Sequence, residues 1–299
     1  MELGIDIGGT NIKFGVVDGE RIVEKFEIPT LARRADTEIV GDIIKMCRTI
    51  MAKYSIEKIG IGTPGFVDSE KGMILLASNI NFKNTPICSM ISEALGVPTT
   101  VGNDANCAVL GEYYAGYGKE YKNMILVTLG TGVGGGIVID GKPYFGTTGK
   151  AGEIGHMSIK YDGEKCGCGK IGCYEKYASV TALCNFTKEA AQENPDSLMA
   201  QNIKSMGGKV SGKTAFDAMR SGCPVGKAVV DKYLNYIATG LISLCFIFHP
   251  DIIVIGGAIS KEGEYLSVPL REKVGFDDIR IETSNLKNDI GIIGAAKYR

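Results

Sequence analysis

Gly4-Ile5-Asp6-Ile7-Gly8-Gly9-Thr10-Asn11-Ile12-Lys13-Phe14-Gly15-Val16-Val17 opens the chain with two apolar runs hinged on a Gly-Gly-Thr-Asn turn. Residues 3–8 and 12–17 are rich in the β-branched and aromatic side chains that suit strands. Asp18-Gly19 then signals a tight hairpin into a third strand over 22–28. The pattern returns near the middle of the chain. An apolar run over 124–129 meets Gly130-Thr131-Gly132, a second run over 135–140 follows, and Asp140-Gly141 signals another hairpin. A single repeat about 120 residues long indicates a duplicated domain, because solenoid units recur every ~20–50 residues.

The stretches between the two copies supply helices. Apolar residues at Ile39, Ile43, Met46 and Ile50 predict a helix over 37–54 with Thr37 as N-cap. A strand over 58–62 runs into Thr63-Pro64-Gly65, and a helix over 86–95 ends at Gly96. A strand over 97–101 leads through Gly102-Asn103-Asp104 into a helix over 105–114. This order predicts an α/β domain over 1–116, completed by a C-terminal helix near 290–299, and a larger α/β domain over 117–289. In the second domain an apolar strand over 252–255 precedes a third glycine turn, Gly256-Gly257-Ala258. The apolar stretch 237–248 reads as a buried helix too short to span a bilayer, and 194–212 reads as the most loop-like segment.

Composition narrows the class. The 299 residues are 44% hydrophobic and 22% charged, with net charge −1, as in an ordinary globular protein without a basic footprint for nucleic acid. Nine cysteines, an odd number, and an opening without a signal-peptide pattern predict a reduced, cytoplasmic protein with no membrane partner.

Glycine-rich hairpin turns expose backbone N–H groups without side chains in the way, and such concavities take phosphate oxygens. The predicted phosphate groups are Gly8, Gly9, Thr10 and Asn11 in the first copy and Gly130, Thr131 and Gly132 in the second. Thr10 and Thr131 add hydroxyl donors, Lys13 a counter-charge, and Asp6 a carboxylate that can organise Mg²⁺ directly or through water. Each turn alone reads more readily as an ordinary hairpin; the repeated pair and the third turn reverse that and favour phosphate. Gly130, Gly132 and Gly135 also fit the dinucleotide fingerprint, which needs a helix where Gly136-Ile137-Val138-Ile139-Asp140 is strand-like. Gly207 to Thr214 fits the P-loop pattern. The residues before it form no central strand, so Ser211 is read as the cap of a helix over 213–220.

At 103–104 an amide and a carboxylate end a strand. Either one caps the following helix, or the carboxylate serves as a base for a hydroxyl nucleophile. Cys166, Cys168 and Cys173 lie among glycines at a spacing that suits a zinc site, with unliganded buried thiols as the alternative.

Four segments together, GIDIGGTNIKFGVV (4–17), LVTLGTGVGGGIVIDG (126–141), AGEIGHMSI (151–159) and CGCGKIGCYEKYAS (166–179), resemble the ROK family of bacterial sugar kinases and repressors across essentially the whole chain. The resemblance implies a two-domain α/β fold of the actin and hexokinase type (ribonuclease H-like), with ATP and sugar meeting in the interdomain cleft. The repressors carry an N-terminal helix-turn-helix domain, and the first turn here starts within ten residues of Met1, which favours a kinase. By the same resemblance Asp104 is the catalytic base. Gly65, Asn79, Asn103, Glu153, His156 and Glu175 contact the sugar, and Gly256 and Gly257 lie near the nucleoside. His156 completes a structural zinc site with the three cysteines, and its other ring nitrogen can face the sugar. Phe82 stands where many members have Trp. The family also suggests a homodimer or homotetramer.

The function this implies is transfer of the γ-phosphoryl group of MgATP to the 6-OH of glucose. Fructose, mannose, N-acetylmannosamine, allose and β-glucosides are alternative acceptors, polyphosphate is an alternative donor, and a non-catalytic sugar sensor is the alternative of another class.

Overall fold

Leu3, Gly4 and Ile5 are buried in succession in β1 (Glu2–Ile7). A continuous apolar run of this kind marks a strand covered on both faces, hence central. The computed structural model describes every residue except Ser78, Thr148, Lys150, Lys287, Asn288 and Arg299. β1 pairs antiparallel with β2 (Asn11–Asp18), and β2 with β3 (Arg21–Pro29), whose alternating exposure suits its edge position. After α1 (Asp36–Met51) comes β4 (Lys58–Thr63), parallel to β1. A separate three-stranded sheet of β5 (Phe66–Asp68), β6 (Met73–Leu76) and β7 (Lys83–Thr85) precedes α2 (Ile87–Leu95). β8 (Thr99–Asn103), parallel to β4, then leads into α3 (Asp104–Ala115). The sheet order is β3-β2-β1-β4-β8.

The second sheet repeats that order. β9 (Met124–Leu129), β10 (Val133–Ile139) and β11 (Lys142–Pro143) correspond to the opening three strands, and β12 (Ile252–Gly256) and β13 (Arg280–Thr283) to β4 and β8. β12 is parallel to both β9 and β13. Between β11 and β12 lie α4 (Glu175–Ala178), α5 (Val180–Glu193), α6 (Leu198–Ser205), α7 (Thr214–Arg220) and α8 (Pro224–Phe248). α9 (Glu264–Val274) lies between β12 and β13, and α10 (Ile290–Lys297) comes last. The chain divides into two compact units. One comprises Met1–Lys122, Gly136–Gly152 and Asn288–Arg299, the other Asn123–Gly135 and Glu153–Lys287. Each unit has its own core, with Leu3, Ile5, Phe14, Ile61 and Val101 fully buried in the first and Val127, Tyr174, Tyr233, Leu241 and Ile253 in the second. Among the described residues no helix is long and apolar enough to cross a membrane.

Glycines let α10 enter the first unit. Gly4 and Gly60 are partners on β1 and β4, and a Cβ on either would overlap a carbonyl oxygen of α10, that of Ile292 or Ala295. On α3 the Gly111 site abuts the Ile290 carbonyl, and Gly294 abuts that of Cys107. The two helices touch backbone to backbone, so an added methyl must push them apart. Gly111→Ala is expected to cost about 1–3 kcal/mol of stability, measured by thermal unfolding; an unchanged melting temperature contradicts this packing.

Several local expectations need correction. The segment 194–212 is not all loop, since α6 lies within it with the Ser197 hydroxyl accepting from Ala200 N–H at 3.2 Å. Thr37 falls inside the first turn of α1. Its N-cap is Ala35, which has no side-chain oxygen to cap with; the Ala35 carbonyl accepts from Glu38 and Ile39 N–H, and Glu38 Oε2 reaches back to Ala35 N–H at 3.1 Å. Ser211 does not cap α7, which starts at Thr214 with Lys213 at the N-cap and no capping side chain. The apolar stretch of α8 is buried only in part, because Phe246 and Ile247 at its end are 75% and 66% exposed.

Candidate active site and metal cluster

In the first unit the carboxyl ends of three adjacent parallel strands gather the predicted residues. Asp6 is level with Gly62, and Thr63 with Asn103. Ligands of open α/β sheets bind at such strand ends. Asp6 faces Lys13 across the hairpin. Burial raises the Asp6 carboxyl above its ordinary range, and the Lys13 charge opposes that rise. The first glycine turn is closed by Gly8 N–H donating to Asn11 O at 3.0 Å, and braced by Thr30, whose hydroxyl donates to Gly8 O at 2.6 Å. Gly9 and Thr10 are exposed, and a Cβ on Gly9 would lie 3.9 Å from that of Asn79.

At 103–104 the amide is the cap of the following helix. Asn103 Oδ1 accepts from Ala105 N–H at 2.9 Å as the N-cap of α3, while its Nδ2 donates to Gly65 O at 3.1 Å. Gly65 has φ +98°, and a Cβ there would run into Leu76 O, so the position suits glycine. Asp104 is the first residue of the helix. Its charge and that of Asp6 both act on the buried Cys107 thiol, whose pKa burial already raises.

In the second unit the Gly130-Thr131-Gly132 turn is closed by Gly130 N–H to Gly132 O at 3.0 Å. The start of α5 clamps it, with Val180 N–H donating to Gly130 O at 2.8 Å and the Thr181 hydroxyl to Thr131 O at 2.7 Å. Gly256 is level with Thr128, and Gly257, at φ +83°, packs on the Leu129 backbone, so the third turn adjoins the second. Glu175 is half-buried at the start of α4, and its Oε2 accepts from Val133 N–H at 3.0 Å. Glu153 and His156 are exposed and flank Gly155, which packs on the Val133 carbonyl.

His156, Cys166, Cys168 and Cys173 bring four ligand atoms within 4.8 Å of one another. His156 Nδ1 is 3.7 Å from Cys166 Sγ, and the sulfurs of Cys168 and Cys173 are 3.6 Å apart. A tetrahedral zinc with Zn–S near 2.3 Å and Zn–N near 2.0 Å separates its ligands by roughly 3.5–3.8 Å. The donor set and its spacing therefore fit such an ion. Glycines shape the loop: Gly169 and Gly172 have φ +88° and +71°, and Cys166 N–H bonds Lys170 O at 2.8 Å.

The model of the ROK family matches residues 2–298. The chain belongs to the ROK family. It is 35% identical to a glucokinase of Streptomyces coelicolor, over 99% of this chain and 96% of that one. To a glucokinase of Halalkalibacterium halodurans it is 36% identical, over 98% and 92%. Among solved structures, a ROK family glucokinase from Streptomyces griseus in complex with glucose and AMPPNP superposes with a TM-score of 0.84 at 34% identity, covering 99% of this chain and 98% of that one. The fold is thus the α/β actin- and hexokinase-like one, and the repeated sheet order is its internal duplication.

Within this ROK protein the two rival motifs lose their structural setting. Gly136 onward continues as β10, where a dinucleotide site needs a helix. The segment before Gly207 is α6, where a P-loop needs a strand. The residues that sequence reasoning missed are the braces, Thr30 for the first turn and Val180 and Thr181 for the second. Each bonds to a turn residue at least 20 positions away, and no local pattern marks it.

Proposed function

We propose that the protein is an ATP-dependent hexose kinase that transfers the γ-phosphoryl group of MgATP to the 6-OH of glucose. The observation that carries this reading is the pair of braced glycine turns, one in each copy of a duplicated sheet, in a chain alike over nearly its whole length to glucokinases. The carboxylate of Asp104, just past the carboxyl end of β8, fits a base for the attacking hydroxyl.

In the proposed reaction the 6-OH oxygen attacks the γ-phosphorus and its proton passes to Asp104. The bond from the γ-phosphorus to the β,γ-bridging oxygen breaks, and ADP leaves. Asn103 holds a sugar hydroxyl with the hydrogen-bonding capacity that the helix cap and Gly65 leave over, and Gly65 and Asn79 line the same side. The family resemblance assigns Glu153, His156 and Glu175 further sugar hydroxyls. A site built from such groups rejects analogues lacking the hydroxyls. Gly8 to Asn11, Lys13 and Gly130 to Gly132 bind phosphates, and Gly256 and Gly257 lie beside the nucleoside. Mg²⁺, organised by Asp6, would neutralise charge on the transferring group. Zinc held by His156 Nδ1, Cys166, Cys168 and Cys173 has a structural role and leaves the other edge of the imidazole for the sugar. A cytoplasmic homodimer or homotetramer completes the proposal; light scattering reads the assembly.

The position of transfer is tested by ³¹P NMR of the product from glucose and MgATP. Glucose 6-phosphate formed in step with ADP is expected, and phosphate on another hydroxyl would overturn the regiochemistry.

Asp6 offers a test with two readouts. Its pKa is raised in the fold, so its ionised form costs stability. That cost is absent below the ordinary carboxylate value of 3.8 and grows as pH rises through the folded pKa. Asp6→Asn is therefore expected to unfold at a higher temperature than wild type at neutral pH, with the difference vanishing in acid, while turnover falls at least ~10-fold. Unchanged turnover would remove Asp6 from the metal-organising role.

A further inference from the structure

Val133, the first residue after the Gly130-Thr131-Gly132 turn, is where the site residues of the second unit converge. Its N–H donates to Glu175 Oε2 at 3.0 Å, and Gly155, between Glu153 and His156, packs on its carbonyl. Gly132 has no side chain, and the Glu175 carboxylate fills the place a Cβ would take. The backbone at Glu175 is fixed by its neighbour Tyr174. That residue is fully buried, with its hydroxyl donating to Ile237 O at 2.9 Å and its N–H to Met157 O at 2.8 Å. Only the torsions of the Glu175 side chain are left to choose. Among the described residues Oε2 has a partner and Oε1 accepts no hydrogen bond.

We propose that Glu175 is a shared strut, with Oε2 holding the phosphate turn in shape through Val133 while Oε1 takes the acceptor sugar, so that sugar and nucleotide bind with positive coupling. The proposal rests on the kinase reading above. A ligand that fixes Glu175 spares the second ligand that ordering, and the coupling is reciprocal. It also gives the enzyme a means of favouring MgATP when an acceptor is present, from one side chain inside one unit. The carboxylate charge near the triphosphate works against nucleotide binding in the empty protein. Sugar hydroxyls donating to Oε1 reduce that penalty.

The test titrates MgAMPPNP into the full-length protein with and without saturating glucose, for wild type, Glu175→Gln and Glu175→Ala. Glucose is expected to tighten nucleotide binding to wild type at least ~5-fold, the low end of ordinary coupling. Glu175→Gln binds MgAMPPNP alone at least as tightly as wild type, because the amide oxygen still accepts from Val133 and the charge is gone. Its glucose effect falls below about twofold. Glu175→Ala loses the strut and binds MgAMPPNP on the order of 10-fold more weakly with no sugar present, the scale of a lost hydrogen bond to a charged group.

Nucleotide binding to Glu175→Ala as tight as to wild type overturns the proposal, as does a glucose effect that is absent in wild type or survives in Glu175→Gln. If the alanine variant does not fold, the glutamine variant decides alone. A wild-type protein that binds MgAMPPNP but phosphorylates no sugar defeats the kinase reading instead, and the sugar-free comparison with the alanine variant still tests the strut.

Discussion

Asp104→Ala is expected to lower kcat at least ~10²-fold, the usual scale for a positioned base, while sugar binding is retained. The helix that carries Asp104 survives the change, because Asn103 is its N-cap and keeps the bond from Ala105 N–H. What the fold loses is the second acceptor of the Ala105 N–H, Asp104 Oδ1 at 2.9 Å, and a carboxylate at the positive end of α3, the charge contributing about 0.3–1 kcal/mol. Turnover and stability are therefore expected to separate. Kinetics at saturating substrates, a sugar titration by calorimetry and a melting curve read the three quantities. Near-normal turnover would take the base away from Asp104, and loss of sugar binding in step with kcat would make it a sugar ligand only.

The second large effect is expected at the His156, Cys166, Cys168 and Cys173 cluster. His156→Ala is expected to lose both bound zinc and sugar affinity, because His156 Nδ1 faces Cys166 Sγ and the proposed kinase site uses the other edge of the ring for the sugar. Cys166 and Cys173 are buried and Cys168 is exposed, so the cluster borders solvent on one side. Removing a ligand there also disturbs the start of α4: Cys173 Sγ lies 3.6 Å from His156 O, and Glu175 comes two residues later. Elemental analysis should find about one zinc per wild-type chain, the capacity of a single four-ligand site, and a substoichiometric amount in the variant. KM for the sugar should rise on the order of 10- to 100-fold, the usual effect of losing a residue that orients a metal site. Full zinc occupancy with unchanged KM would contradict the dual role of His156.

Much of this molecule is legible in the sequence where local chemistry is strong. The Gly8-Gly9-Thr10 and Gly130-Thr131-Gly132 turns announce themselves, and the hairpins around them reveal the duplication that the two sheet orders express. The three cysteines, close together among glycines, fold onto His156 as the family resemblance implies. Weak or distant signals are where reading fails. The strands β5, β6 and β7 are three or four residues each, too short for alternation to show. Thr37 looks like a cap, yet the helix starts earlier because Glu38 satisfies the Ala35 N–H. Glu175 carries no sign that it will bond to Val133, 42 positions away. Bonds of that span depend on how whole elements pack, and residue types at one end say nothing of the other.

The central claim is tested most directly by ADP release from MgATP, with the purified protein offered a panel of hexoses, amino sugars and β-glucosides. Release that depends on the sugar and is fastest with glucose is the expected result. A different preferred sugar would keep the kinase and change its substrate. No release with any sugar, from a folded protein that binds zinc, would contradict the kinase reading and point to a sensor that binds hexose without turnover.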